Sequence, residues 1–481
     1  MLKLRRTQLL CSLKLMLKNM DTSKVKVNKG RKNLPKEELD KLSKDELVEM
    51  IIKLEAHNKQ LKNILEKKIN PVKDECKRKE SDRSFDFSKH PKRHVLLKFC
   101  YLGWDYEGFV TQENTIETIE HHLFEALTKV CLIERRQTSN YNRCGRTDKG
   151  VSAFEQVISI DLRSKIDAKD QLTQSGIVSE IKYCSLLNRV LPKNIRAISW
   201  MPLVTQTYSA RFDCIGRTYR YFFPRGDLNV SKMQEACSYL VGSHDFRNLC
   251  KMDVGNGVVQ YIRRLDSVNI KIASKNHENL EEFDLLFLEI KGSAFLWHMI
   301  RCIVSILMIV GQQRESPSIV KELLDVEKNE QKPQYALASE FPLILFKCDF
   351  REDQQDPEEL PLNIDMLNKW IYDEEGLKDV IIDLQEQWCS ESVKSIMIYE
   401  MLKVLQSQYA NHFSDFPEIN MQACSLNRDY RKKEYKKLMD RDKGLTLEDR
   451  ICHYTKRRRI FHTEGETLTE VDSSSSNNNK N

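Results

Sequence analysis

The sequence predicts an α+β protein: a mixed, mainly antiparallel sheet of two similar halves flanked by helices, with a coiled-coil-like helix ahead of it. Two observations carry this. Several strand-like runs follow one another with no helical pattern between them, which a doubly wound parallel sheet does not permit. Strands and helices also arrive in two batches divided near Pro202, as expected of two similar halves facing each other. A hydrophobic fraction of 40% over 481 residues supplies a sizeable core.

Residues 1–35 are basic and unpatterned, a composition expected to be disordered. A helix is expected within residues 36–69, where Ser43 and Glu46 form a capping box. Leu47, Ile51, Leu54, Asn58, Leu61 and Leu65 then recur at steps of four and three. That seam suits a two-stranded coil with Asn58 fixing register, and suits a single solvated helix equally well. Residues 70–84 read as a charged linker.

The globular part is expected over 85–350, in halves of about 85–202 and 203–350. In the first half, His94–Tyr101 reads as a buried strand. Ile116, Ile119, Leu123, Leu127 and Val130 share one helix face. Gln156–Leu162 alternates as a strand, Val178–Val190 is helical, and Ile195–Met201 is again a strand. The second half offers strands at Arg217–Phe223, Arg263–Ile272, Phe283–Lys291 and Leu343–Phe350, with helices at Leu296–Gln312 and Ser318–Val326. A helical extension over 351–420, helical from about Ile364 to Gln408, a basic segment over 421–462 and a Ser/Asn-rich tail over 463–481 complete the chain.

The formal charge of +6 is unevenly placed: residues 1–35 carry ten Lys/Arg and one acid, so the rest is mildly acidic. Nucleic-acid binding would therefore need a local basic surface. The fourteen cysteines are dispersed without C-x-x-C spacing, which argues against a zinc ribbon or finger and for ordinary core roles in a reducing compartment. The longest apolar run, Phe295–Val310, is broken by His298 and Arg301 and too short to span a bilayer, so no membrane association is expected. Met1–Met20 has the composition of a mitochondrial presequence; an upstream extension with Met20 as the working start is the favoured reading.

Chemistry concentrates in three segments. In Arg143-Cys144-Gly145-Arg146-Thr147-Asp148-Lys149-Gly150-Val151, two glycines bracket an acid flanked by cations. Gly145 and Gly150 allow a close-approaching backbone, and Arg146 and Lys149 favour an ionised Asp148 able to act as nucleophile or base. In Phe295-Leu296-Trp297-His298-Met299-Ile300-Arg301-Cys302, Arg301 lies inside an almost wholly apolar helix, where a guanidinium needs a carboxylate partner. Asp148 is the acid most in need of it. Third, Ala210-Arg211-Phe212 precedes Arg217-Thr218-Tyr219-Arg220-Tyr221, a strand with aromatics on one face and arginine on the other. Base stacking and phosphate contact require such a mixture.

Together and in this order, the three segments resemble the TruA family of pseudouridine synthases over about Phe85–Phe350. Gly145–Val151 is similar to the family's catalytic loop, with Lys149 where bacterial members often have Ala and Ser152-Ala153 where many have His-Ala. The resemblance implies that Asp148 is the catalytic aspartate, Tyr219 the tyrosine that stacks on the target base, and Arg301 the arginine that pairs with the aspartate. Within the family, the run from His244 to Asp253 resembles the eukaryotic branch acting at positions 38 and 39 of the tRNA anticodon stem-loop.

The same resemblance implies an isomerisation that uses neither metal nor cofactor, tRNA as partner, a homodimer, and residence in nucleus and cytoplasm. Arg143, Arg146, Lys149, Arg211 and Arg220 are candidate phosphate contacts. Alternatives are a synthase for other tRNA positions or other RNAs, and a tRNA-binding chaperone without catalysis. Asp148, Tyr219 and Arg301 all being present argues against the chaperone. The Lys456–Arg459 cluster suits a nuclear import signal, an RNA contact or a solvated basic helix.

Overall fold

The computed structural model describes residues 85–275, 281–351, 369–413 and 434–455. The basic extension, the helix expected around Asn58, the linker, residues 364–368, the Lys456–Arg459 cluster and the C-terminal tail lie outside the described residues.

In chain order the strands are β1 (Lys92–Tyr101), β2 (Asn142–Arg143), β3 (Ser152–Arg163), β4 (Ile195–Pro202), β5 (Cys214–Pro224), β6 (Gly242–Asp245), β7 (Ile262–Ser274), β8 (Leu285–Gly292), β9 (Leu343–Phe350) and β10 (Ile371–Tyr372). The helices are α1 (Ile119–Lys129), α2 (Gln174–Val178), α3 (Tyr183–Asn188), α4 (Val230–Ser238), α5 (Met299–Gly311), α6 (Ile319–Leu324) and α7 (Glu374–His412). One sheet runs β10-β4-β1-β3-β9-β5-β8-β7-β6, with β2 paired to β3 off that path. All pairings are antiparallel except β3 with β9.

The two batches of strands therefore join edge to edge in one sheet rather than facing each other. That junction positions the site. Ala153 of β3 is in register with Leu345 of β9, and Leu345 with Tyr219 of β5. The loop entering β3 and the middle of β5 thus reach one place.

Burial explains why these segments became these elements. Nine of the ten residues of β1 are buried, including three charged or polar ones. Arg93 pairs with Glu180 at 3.2 Å and Lys98 with Glu155 at 2.9 Å, so no charge is stranded in the sheet. Glu180 also accepts from the backbone N–H of Lys165 and Ile181, and the helix expected at 178–190 starts only beyond it, at Tyr183, as α3, while α2 ends at Val178. Twelve of the thirteen residues of α5 are buried, Arg301 being the exception. The sequence reading missed α4 and β6, which are short and bury few side chains: Met233, Ala236 and Cys237 in α4, none in β6.

The chain after Phe350 also contributes. β10 extends the sheet at β4, and Leu438 and Leu447 join the main core. The buried Glu315 accepts from the Tyr435 hydroxyl at 2.7 Å and the Leu438 amide at 2.8 Å. Among the described residues no helix is long and apolar enough to cross a membrane.

Candidate active site

Asp148 stands on the turn between β2 and β3, and the turn is fastened on both sides. The Tyr101 hydroxyl and Thr147 Oγ1 are 2.6 Å apart, the Phe109 amide donates to the Thr147 carbonyl at 3.1 Å, and the Gly150 amide donates to the Tyr106 carbonyl at 3.1 Å. Gly150 has φ +75°, and a Cβ there would lie 2.7 Å from Cγ of Glu340. Only glycine fits. At Gly145 a Cβ would meet only ordinary contacts beyond 3.7 Å, so the expected close approach is real at one of the two glycines.

Burial lifts the Asp148 carboxyl above its ordinary pKa; attraction from Arg301, a hydrogen bond from Trp297 and attraction from Lys251 oppose this, and Glu340 adds repulsion. The flanking cations do not do what the sequence suggested. Lys149 is exposed and pairs with Glu107 at 2.5 Å, and Arg146 turns to Arg143 and Arg211, whose like charges add to burial in lowering its pKa. Side chains at adjacent positions of a turn diverge, so sequence neighbours need not be spatial neighbours.

Arg301 reaches the same site from α5, but its hydrogen bonds go elsewhere. Its Nη2 donates to Glu340 at 2.8 Å and its Nε to the Ala338 carbonyl at 2.8 Å. The expected direct pair with Asp148 is replaced by attraction through space, because Glu340 takes the guanidinium. The nearest titratable group to Asp148 is His298, whose Nε2 lies 3.5 Å from Oδ2. His298 caps α5 at φ +58°, and burial, then Arg301, Lys251 and Lys332, push its pKa down to about 4. Its ring is neutral near pH 7.

Tyr219 is buried on β5, edge-on to Phe295 with ring centroids 5.1 Å apart. Asp148, Tyr219, Trp297, His298 and Arg301 all line one cavity of about 1070 Å³. Arg143, Arg146, Arg211 and Arg217 line it too. Arg143 is engaged by Glu120 at 2.9 Å, in a buried carboxylate cluster with Arg136 and Tyr141. Arg146, Arg211 and Arg217 form no ion pair within 4.0 Å among the described residues, so the lining, whose acids are Asp148 and Asp253, carries an excess of positive charge. Lys149 and Arg220 do not line it. Arg220 lies on the opposite face of β5, paired with Glu289 at 2.8 Å and stacked on Phe346.

Sequence reasoning missed Arg217, Trp297, His298, Lys251 and Glu340. Arg217 carried a signal, since it precedes Tyr219 by two on the same strand face. Lys251 and Glu340 carried none, being far from Asp148 in sequence.

A cavity of this size with a half-buried aspartate, an aromatic wall and a mainly cationic lining suits an extruded nucleotide. Residues 236–351 match the family described as tRNA pseudouridine synthase. The chain is also 43% identical to a mouse protein over 89% of its own length and 91% of the relative's, and 44% identical to a human one over 86% of each. It belongs to the TruA family of tRNA pseudouridine synthases, isomerases that act on uridine in tRNA. The mouse and human relatives are named tRNA pseudouridine(38/39) synthase. So is a Saccharomyces cerevisiae relative, 39% identical over 66% of this chain and 72% of its own.

Proposed function

We propose that this chain isomerises uridine to pseudouridine at positions 38 and 39 of the tRNA anticodon stem-loop, with Asp148 as the catalytic carboxylate. The observation that carries the assignment is the meeting of Asp148 with Tyr219 in a cavity lined by Arg146, Arg211 and Arg217. The names of relatives covering nearly the full chain support the position.

In this reading the uridine leaves the helical stack, because its glycosidic bond is shielded there. Tyr219 and Phe295 hold the base, while Arg146, Arg211 and Arg217 take the phosphates on either side. Asp148 attacks the ribose C1′ or removes the C2′ proton. Uracil then departs with the glycosidic electron pair, rotates, and rejoins C1′ through C5, and the C5 proton leaves last. Arg301 and Lys251 stabilise the ionised Asp148 across the site, and the Trp297 indole donates to it. The enzyme works as a homodimer in the nucleus and cytoplasm, as the family resemblance implies.

The test maps pseudouridine in tRNA from cells lacking the protein, complemented by wild type or Asp148→Asn. Loss at positions 38 and 39, restored by wild type alone, is expected. Loss at other uridines with 38 and 39 intact would overturn the position, and restoration by Asp148→Asn would overturn the role of the aspartate.

A further inference from the structure

Sequence spacing hides a feature that the fold assembles. Cys144, Cys214 and Cys348 come from the end of β2, the start of β5 and the end of β9, and their sulfurs lie within 4.8 Å of one another. Cys144 Sγ is 3.3 Å from Cys214 Sγ and 3.3 Å from Cys348 Sγ. Cys144 and Cys214 line the active-site cavity of about 1070 Å³. The Arg217 guanidinium, without a carboxylate partner among the described residues, donates to the Cys144 carbonyl at 2.8 Å and stands beside the cluster.

The three sulfurs differ in surroundings. Cys348 donates its S–H to the Glu155 carbonyl at 3.1 Å, a contact that a thiol satisfies and a thiolate ligand would find repulsive. This speaks against three thiolates around a cation. Cys214 faces the Gly216 carbonyl at the longer 3.4 Å and the Cys144 sulfur at 3.3 Å, and it is held well below the usual thiol range, first by the Cys144 thiol, with Arg217 adding attraction. Tyr208 also stands near it, with Asp213 beside both. Nucleophilic cysteines arise in such electropositive, hydrogen-bonded places.

We propose that Cys214 is a modification site: a nucleophilic thiol that hydroperoxides oxidise, with Cys144 as the thiol that resolves the product. The Cys214 sulfur attacks one peroxide oxygen and breaks the O–O bond, giving a sulfenic acid and hydroxide. The Cys144 sulfur then displaces hydroxide from that sulfenic sulfur, and its own proton converts the hydroxide to water. Two thiols and one hydrogen peroxide thus become one disulfide and two waters, a two-electron oxidation. The bond would tether the residue before Gly145 to the strand that carries Tyr219.

The full-length protein is treated with a small excess of hydrogen peroxide at pH 6 and pH 8, quenched by alkylation, and mapped by peptide mass spectrometry. The exposed Cys389 and Cys452 are internal references. A Cys144–Cys214 link, 2 Da lighter than the thiols, should form before either reference oxidises at pH 6. Its rate should change less than about threefold between the two pH values, whereas an ordinary thiol gains roughly 50- to 100-fold. Cys144→Ser should abolish the link and leave a sulfenic acid at Cys214 that dimedone traps; Cys348→Ser should leave the link in place. The proposal is overturned if the references oxidise first at pH 6, or if Cys214 follows the pH dependence of an ordinary thiol. Stoichiometric zinc released from the purified protein by a mercurial would equally overturn it.

Discussion

Nε2 of His298 lies 3.5 Å from Oδ2 of Asp148, yet the ring contributes no charge to the carboxylate. Burial and three surrounding cations hold His298 neutral near pH 7, so the contact is dipolar and the charges that attract Asp148 are those of Arg301 and Lys251. The backbone under His298 is left-handed at φ +58°, a conformation that costs a non-glycine residue about 1 kcal/mol. That strain turns the ring toward the aspartate.

The strain and the ring can be separated by mutation. His298→Ala removes the ring and keeps the unfavourable backbone, whereas His298→Gly removes both. The glycine variant should be the more stable of the two by about 1 kcal/mol, and both should lose turnover. Equal thermal midpoints would show that the left-handed conformation carries no cost here; wild-type turnover in the glycine variant would remove the ring from the site.

Asp148→Asn should bind tRNA and make no pseudouridine. It should also be more stable than wild type at neutral pH. The folded pKa of Asp148 is raised, so the ionised carboxylate costs stability above that pKa, and the cost fades as pH falls through it. The gain in thermal midpoint should therefore be full at pH 7 and vanish below the ordinary value of 3.8. A variant less stable than wild type at pH 7 would contradict the burial effect.

The acid limb of the pH–rate profile should move in opposite directions when the two neighbours of Asp148 are neutralised. Arg301 favours the ionised carboxylate and Glu340 disfavours it. Arg301→Gln should shift the limb to higher pH, and Glu340→Gln to lower pH while also freeing the guanidinium from its 2.8 Å partner. Single-turnover rates across pH 4 to 8 decide this. Shifts of the same sign in both variants would show that the limb belongs to another group.

The main elements of the body were legible because periodicity reports burial, and burial shapes β1, α5 and β5. The catalytic loop was legible only through the three segments together, because glycines around an acid taken alone suit an ordinary β-turn with an exposed Asp better. What escaped was set by long-range packing. Nothing near Glu340 announces that it will claim Arg301, and nothing near Lys149 announces that Glu107 will pull it aside. The thiol cluster draws on residues 144, 214 and 348, a spacing with no local signature. Likewise the parallel β3–β9 pairing, which joins the two halves of the sheet beside the site, links residues nearly two hundred positions apart, as with Ser152 and Ile344.

Four basic residues divide into two that should bind phosphate and two that should not. Arg146 and Arg211 face the cavity without carboxylate partners among the described residues, so their charge is available to RNA. Lys149 is spent on Glu107, and Arg220 on Glu289 across the sheet. Binding that neutralises phosphates weakens with salt, by a slope of about 0.7 to 0.9 per contact in log–log terms. The double variant Arg146→Ala/Arg211→Ala should lower that slope by about 1.5 and weaken tRNA affinity at least tenfold in low salt. Lys149→Ala should change neither. Arg220→Ala should leave the slope intact but lower the thermal midpoint, because it uncovers Phe346 and leaves Glu289 with Lys271 alone. Filter binding of tRNA over 50 to 300 mM salt, on the order of the range where such slopes are read, measures all of these. If Lys149→Ala or Arg220→Ala reduces the slope as much as the double variant does, the RNA backbone runs over the outer face of the loop and not through the cavity.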